Sequence, residues 1–103
     1  MKKFITICTI ADLQPESIRR FVVENNPIVV VRHNDHIYAL ADRCTHEDFP
    51  LSDGYIHEDN IVCPLHGARF ALADGEAVSL PAYIAAKTYK VRVDEENIQI
   101  CLE

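Results

Sequence analysis

The sequence lacks an excess of positive charge, a long apolar run and any internal repeat. Ten Lys and Arg residues stand against sixteen Asp and Glu residues, for a formal net charge of −6. Because phosphate binding requires a basic face, we expect no nucleic-acid partner, whereas a partner with a basic docking surface is favoured. No stretch approaches the roughly 20 apolar residues of a membrane-spanning helix, so we expect no membrane span.

The length leaves room for one modest core and no second catalytic module. With 103 residues, of which 49% are hydrophobic and 25% charged, the chain has the composition of a soluble globular protein. No low-complexity segment or linker divides it. We therefore expect a single domain over residues 1–103.

The amino terminus resembles a short signal peptide only weakly. Residues 1–3, Met-Lys-Lys, precede an apolar run over residues 4–11, but Thr6 and Thr9 interrupt that run. A signal peptide needs an uninterrupted apolar segment. We expect a first β-strand here instead.

Short apolar segments separated by turn residues follow one another along the chain. Candidate strands lie at residues 3–10, 28–32, 36–40, 60–62, 68–72, 88–94 and 98–102. Asn34-Asp35 and Asp74-Gly75 predict hairpin turns, and Asn25-Asn26-Pro27 predicts a further turn. Residues 17–24 fit both helical and strand spacing, and we favour a strand because the neighbours are strands. Many short strands at even spacing predict an all-β sandwich or barrel.

Two Cys-plus-His pairs form the most specific pattern in the chain. Cys44-Thr45-His46 is followed, after sixteen residues, by Cys63-Pro64-Leu65-His66. Two short loops of this kind can close on one inorganic site with two sulfur and two nitrogen ligands. Zinc also accepts this donor set, although zinc sites more often use C-x2-4-C and H-x3-5-H pairs.

The pattern C-x-H-x16-C-x2-H, with Gly67 directly after it, resembles the cluster-binding motif of Rieske [2Fe–2S] proteins. The resemblance implies the Rieske fold, an antiparallel β-sandwich with a small cluster-binding subdomain of two loops at about residues 43–82. It also implies one [2Fe–2S] cluster, with Cys44 and Cys63 on the inner iron and His46 and His66 on the outer one. Two neutral imidazoles leave the oxidised core uncharged, which raises the reduction potential above that of four-cysteine clusters.

Four positions separate the chain from the respiratory branch of that family. Respiratory Rieske proteins carry a disulfide between the two loops where this chain has Phe49 and Leu65. They also carry a Ser and a Tyr, which donate hydrogen bonds to cluster sulfur, where this chain has Ala68 and Phe70. Missing hydroxyl donors lower the potential because they no longer stabilise the reduced state.

These departures resemble the low-potential branch, the Rieske-type ferredoxin components of bacterial multicomponent aromatic-ring-hydroxylating dioxygenases. That resemblance implies a cytoplasmic monomer that is not an enzyme. It would pass single electrons from a flavin-dependent ferredoxin reductase to a terminal aromatic-ring oxygenase. The alternative is a small Rieske subunit of a nitrite-reductase-like or other larger oxidoreductase, and a regulatory or binding domain is a third reading.

Two further expectations concern residues around and outside the motif. Phe49, Pro50, Leu65 and Pro81 are expected to form an apolar docking collar around the imidazoles; residues 80–82, Leu-Pro-Ala, resemble the proline loop that covers the cluster in this family. The remaining histidines and cysteines are expected to be solvated surface residues and small core residues respectively. They are His33, His36, His57, Cys8 and Cys101.

Overall fold

Ten antiparallel β-strands make up most of the regular structure of the described residues. The computed structural model describes residues 3–45, 49–65, 67–79 and 84–102. The strands are β1 (Phe4–Thr9), β2 (Ser17–Val23), β3 (Asn26–His33), β4 (His36–Ala41), β5 (Tyr55–His57), β6 (Asn60–Val62), β7 (Arg69–Ala71), β8 (Ala77–Ser79), β9 (Thr88–Asp94) and β10 (Asn97–Cys101). Single-turn 3-10 helices lie at Ile10–Asp12 and Leu51–Asp53. The expected all-β class is confirmed.

The strands form two sheets of different size. The large sheet has six strands in the order β1-β10-β9-β4-β3-β2, and the small sheet has four in the order β5-β6-β7-β8. In the large sheet, β9 meets β4 at the pairs Ala39–Tyr89 and Leu40–Thr88. The first motif loop follows β4 of the large sheet, and the second lies between β6 and β7 of the small sheet.

Strand β3 is buried on both of its faces and separates two hydrophobic cores. Ile28, Val29, Val30 and Val31 are each 0% exposed. Because side chains alternate along a strand, Val29 and Val31 enter one core while Ile28 and Val30 enter the other. Full burial of each such side chain contributes roughly 1.5–3 kcal/mol. The continuous apolar run from which this strand was predicted is therefore explained by two-sided burial.

The two cores are named here by their contents. The cysteine core consists of Val29, Val31, Leu40, Cys44, Leu51, Ile61, Cys63, Ala68, Phe70, Leu72 and Ala86. The terminal core consists of Leu13, Val23, Ile28, Val30, Ala39, Ile98 and Ile100. The cysteine core takes residues from both sheets, whereas the terminal core joins β3 and β4 to the strands near the chain ends.

One predicted turn is displaced along the chain. We predicted a turn at Asn25-Asn26-Pro27, but the hairpin turn lies at Glu24-Asn25, with φ values of 49° and 68°. Two-residue hairpin loops require positive φ at both central positions, and Pro27, whose φ is held negative by its ring, cannot supply one. Pro27 instead pairs with Val22 within the β2–β3 hairpin. The predicted turn at Asn34-Asp35 is confirmed, with φ values of 51° and 64°.

Strand positions were otherwise predicted to within two residues, with two omissions. Residues 17–24 form a strand, as we favoured, and Asp74-Gly75 lies between β7 and β8 as expected. The short strands β5 and β8 were not predicted, because three residues are too few to show a period. The predicted loop at residues 80–82 lies outside the described residues.

The expectation that His33 is a solvated surface residue was wrong. Its imidazole is largely buried, with Nδ1 2.7 Å from Glu16 Oε1 and Nε2 2.9 Å from Asp59 Oδ1. Glu16 precedes β2 and Asp59 lies in the β5–β6 turn, so this contact joins the large sheet to the small one. The hydrogen bonds to Glu16 and Asp59 raise the pKa of His33 above its ordinary 6.5. His36 and His57 are exposed, as expected.

The two cysteines outside the motif were predicted as small core residues. Cys101 is fully buried in β10, and Cys8 is half-buried against the terminal core. Burial also raises the pKa of the Cys8 thiol. All four cysteines of the chain are free thiols.

His33 predicts a specific dependence of stability on pH. A raised pKa in the folded state means that the imidazolium stabilises the fold fully below pH 6.5 and loses that effect as pH rises through the folded pKa. We expect the free energy of unfolding to fall across that range, and His33→Gln to flatten the change. Urea denaturation at a series of pH values measures it. The control is His36→Gln, an exposed imidazole on the same hairpin, and equal curves for both variants would contradict the assignment.

Candidate metal centre

The first predicted ligand loop begins at Cys44, three residues after β4. The Cys44 N–H donates to the Phe49 carbonyl at 2.8 Å, which closes a loop over residues 44–49. The Cys44 side chain enters the cysteine core and is 1% exposed. His46, the other predicted ligand of this loop, lies outside the described residues.

The second predicted ligand loop begins at Cys63, directly after β6, and has the same closure. The Cys63 N–H donates to the Ala68 carbonyl at 2.7 Å, again across five residues of sequence. Cys63 is 0% exposed. The second predicted histidine, His66, lies outside the described residues, within the sequence that this hydrogen bond encloses. The two halves of the motif thus start from the same backbone arrangement.

Gly67 turns the second loop back towards β7. Its φ of +72° lies in the left-handed region, which residues with a Cβ adopt at a cost. A Cβ at this position would meet no described atom within 4 Å. The requirement for Gly within the described structure is therefore conformational rather than steric.

The structure brings the two motif cysteines together in the cysteine core. Both thiols are buried in that core, at 1% and 0% exposure, and they come from two different loops. Burial raises the pKa of Cys63 to about 11, with a further contribution from Cys44, while the Leu65 N–H acts in the opposite direction. A pair of buried thiols resists ionisation on its own, because a thiolate without a positive partner is poorly solvated there.

This thiol pair fits a metal ion held by two cysteinates. A bound cation supplies the charge that buried thiolates need, and metal binding releases the two protons. The donors also come from two loops, as a shared site requires. Among the described residues no group of three or more Cys, His, Asp or Glu side chains is placed to hold a metal. The cysteine pair is accordingly the described half of the predicted four-residue set.

Ala68 and Phe70, which follow the second loop, are both 0% exposed in the cysteine core. Neither side chain carries a hydroxyl group. These two positions were compared above with a Ser and a Tyr. Here both hold buried apolar groups that cannot donate a hydrogen bond.

A hydroxyl clasp joins the first loop to the segment before β9. The Thr45 Oγ1 donates to the Ile84 carbonyl at 2.5 Å. The Ile84 side chain is 61% exposed, while Ala86 two residues later is buried in the cysteine core. This contact was not predicted, since 39 residues separate the partners and no local pattern links them.

Asp42, beside the first loop, is a buried charged residue that sequence reasoning missed. Its side chain is 0% exposed and forms an ion pair with Arg20 at 2.6 Å. The same carboxylate accepts hydrogen bonds from the backbone N–H and the hydroxyl of Ser52. The acidic residue two positions before Cys44 was visible in the sequence. Its burial was not predictable, because its partners Arg20 and Ser52 lie 22 and 10 residues away.

A substitution at Gly67 tests the backbone of the second loop. Gly67→Ala should destabilise the protein by about 1 kcal/mol, the cost of a left-handed residue with a Cβ. Gly67→Asn should cost less, because Asn tolerates this conformation. Urea denaturation measures both. An alanine variant as stable as the parent protein would rule out the positive φ.

Residues 3–90 match the family described as the Rieske [2Fe-2S] domain. The two closed loops with their buried thiol pair lie inside that match. The chain belongs to the Rieske [2Fe–2S] domain family.

Relatives over nearly the whole length are named as ferredoxins of dioxygenase systems. The chain is 35% identical over 97 residues to the biphenyl 2,3-dioxygenase ferredoxin component of Rhodococcus jostii, covering 94% of this chain and 91% of that one. It is 41% identical over 97 residues to the 3-phenylpropionate/cinnamic acid dioxygenase ferredoxin subunit of Photorhabdus laumondii, covering 91% and 90%.

Solved structures give the same result for the fold. A chain from a complex of reduced oxygenase and oxidised ferredoxin of carbazole 1,9a-dioxygenase matches with a TM-score of 0.89 and 35% identity, covering 97% of this chain and 94% of that one. A nitrite reductase small subunit from Mycobacterium tuberculosis matches with a TM-score of 0.89 but 20% identity, covering 100% and 97%. The second likeness shows the fold alone.

None of the helices among the described residues has the length and apolar character of a membrane span.

Proposed function

We propose that this protein is the ferredoxin component of a bacterial aromatic-ring dioxygenase system. It carries single electrons from a flavin-dependent reductase to a terminal oxygenase and catalyses no reaction itself. The observation that carries the proposal is the buried Cys44–Cys63 thiol pair, set in a Rieske domain whose full-length relatives are named as ferredoxin components. The ring substrate belongs to the oxygenase and is not encoded in this chain.

The proposed ligands are Cys44, His46, Cys63 and His66, which hold one Rieske [2Fe–2S] cluster. The two thiolates would bind one iron and the two imidazoles the other. The matching closures of the two loops support this set, because each begins at the proposed thiolate and encloses the sequence position of the proposed imidazole. When bound, the cluster supplies one-electron chemistry. The chain itself supplies the donors, buries the thiolates and excludes water from them.

The apolar surroundings of the cysteines support a potential at the low end of the Rieske range. Ala68 and Phe70 offer no hydroxyl hydrogen bond to cluster sulfur, and Phe49 and Leu65 cannot form a disulfide between the loops. Fewer donors to the sulfurs mean less stabilisation of the reduced, more negative state. We expect a potential near −150 mV, the lower limit of about −150 to +300 mV for Rieske centres.

We also propose that residues 1–103 form one domain, with the cluster-binding subdomain at about residues 43–82. The cysteine core supports one cooperative unit, since it packs Val29 and Leu40 of the large sheet against Ile61 and Phe70 of the small sheet. The protein would act as a monomer in the cytoplasm. Cys8 and Cys101, which lie outside the proposed ligand set, form no disulfide, and this accords with a reducing compartment.

The function is tested by following one electron through the protein. We expect the purified chain to be red-brown, to show a Rieske-type electron paramagnetic resonance spectrum when reduced, and to reduce a terminal ring oxygenase by one electron per chain. Stopped-flow mixing with the biphenyl or phenylpropionate oxygenase measures the last step. A colourless zinc protein would contradict the proposal. So would a chain that co-purifies with a large oxidoreductase subunit and leaves the oxygenase oxidised.

The proposed docking surface is the apolar collar beside the two loops. Phe49, Pro50 and Leu65 are half-buried there, and Pro81 lies outside the described residues. We add Ile84, because it is exposed and its backbone carbonyl accepts the hydrogen bond from Thr45 in the first loop. An exposed apolar group next to an electron-transfer site offers an anchor for a partner protein.

Substitutions in the collar should slow electron transfer without changing the potential. Ile84→Ala and Leu65→Ala should each reduce the second-order rate to the oxygenase roughly tenfold, corresponding to about 1.4 kcal/mol of lost contact energy. The control is Val93→Ala: Val93 is 46% exposed and lies five residues beyond Thr88 along β9. At about 3.3 Å per residue this is roughly 16 Å from the cluster end of that strand. Unchanged rates with both reductase and oxygenase would exclude the collar.

A further inference from the structure

The carboxylate of Asp42 accepts three hydrogen bonds in a fully buried position. Oδ2 accepts from the Arg20 guanidinium at 2.6 Å and from the Ser52 hydroxyl at 2.6 Å, and Oδ1 accepts from the Ser52 N–H at 2.7 Å. The side chain is 0% exposed. A buried carboxylate is tolerated only when its charge and its lone pairs are satisfied in this way.

These contacts enclose the first ligand loop. Asp42 lies two residues before Cys44, and Ser52 lies three residues after Phe49, whose carbonyl closes the loop. The Asp42–Ser52 contact therefore forms an outer closure over residues 42–52 around the inner closure over residues 44–49. Arg20 extends the outer closure to β2, and the Asp42 N–H donates to the Pro27 carbonyl at 3.0 Å.

The outer closure lies at the end of the strand pairing that builds the sheet. The β3–β4 ladder ends at the pair Ile28–Ala41, one residue before Asp42, and the bond from the Asp42 N–H to Pro27 extends it by one contact. The contacts of the carboxylate itself go to Arg20 and Ser52, outside that ladder. Its contacts act on the segment after the strand, where the proposed ligands Cys44 and His46 lie.

An amide cannot reproduce this set of contacts. In Asp42→Asn one oxygen is replaced by an NH2 group, which donates and cannot accept. With the NH2 group in the place of Oδ2, the Arg20 guanidinium would face another donor. With the NH2 group in the place of Oδ1, the Ser52 N–H would face another donor instead. The substitution keeps the side-chain volume and breaks either the contact with Arg20 or the contact with the Ser52 N–H.

We propose that Asp42 is a positioning residue that holds the first ligand loop ready to bind the cluster. This inference rests on the proposed ligand set. A loop held in its ligating arrangement loses less conformational entropy on binding and retains the bound group longer. Residues that orient metal ligands typically change metal affinity 10- to 100-fold when they are substituted.

The test compares Asp42→Asn with Asp53→Asn in the full-length holoprotein. Asp53 follows Ser52 directly but is exposed. Asp53→Asn therefore removes the same charge beside the same segment and leaves the contacts of Asp42 intact. Cluster release to an iron chelator is followed by visible absorption, the line shape by electron paramagnetic resonance, and the sheets by far-ultraviolet circular dichroism. We expect about tenfold faster release and broader resonance lines for Asp42→Asn, and no change for Asp53→Asn.

A second variant covers the case in which Asp42→Asn fails to fold. Ser52→Ala removes one hydroxyl donor and keeps the ion pair with Arg20, so it should release the cluster measurably faster with intact sheets. If Asp42→Asn and Ser52→Ala both match Asp53→Asn in release rate and spectrum, the role of Asp42 is overturned. The ligand assignment would be unaffected by that result. A parent protein that binds no cluster would overturn the ligand assignment and the role of Asp42 together.

Discussion

Two cysteines from separate loops, Cys44 and Cys63, are buried in the same core, and this burial constrains both loops. Burial and the neighbouring sulfur raise the pKa of Cys63, so an ionised pair is costly without a cation. The burial that disfavours a bare thiolate favours a bound metal, because binding supplies the missing charge. The two loops must therefore meet inside a core, and the fold is arranged to bring them there.

Strands β3 and β4 form the part of the large sheet that packs against that core. One face of β3 packs into the cysteine core and the other into the terminal core, so the strand is buried on both faces. The motif loops are then attached by specific polar contacts. Backbone closures fix the start of each loop, Asp42 joins the first loop to β2, and the Thr45 hydroxyl joins it to the segment before β9. Two-sided packing of β3 and separate polar contacts to each loop suit a site that must keep its geometry while an electron enters and leaves.

Much of this arrangement could be predicted from the sequence, because its strongest signals are local. The spacing of the Cys-plus-His pairs predicted the family, and continuous or alternating apolar runs predicted most strands. Contacts between distant residues could not be predicted. His33 was taken for a surface residue because its partners Glu16 and Asp59 lie 17 and 26 residues away. Asp42 was missed for the same reason, since Arg20 is 22 residues away. The strands β5 and β8 are too short to show a period and depend on pairing with β6 and β7.

Two histidines and two cysteines from these loops are proposed to hold one iron–sulfur cluster. Electron–nuclear double resonance on the reduced protein, grown with nitrogen-15-labelled histidine, measures this ligand set. We expect couplings from two inequivalent labelled nitrogens, and only one in a His46→Cys or His66→Cys variant that retains a cluster. A spectrum without labelled-nitrogen coupling, as expected of four-cysteine ligation, would exclude the proposed ligands.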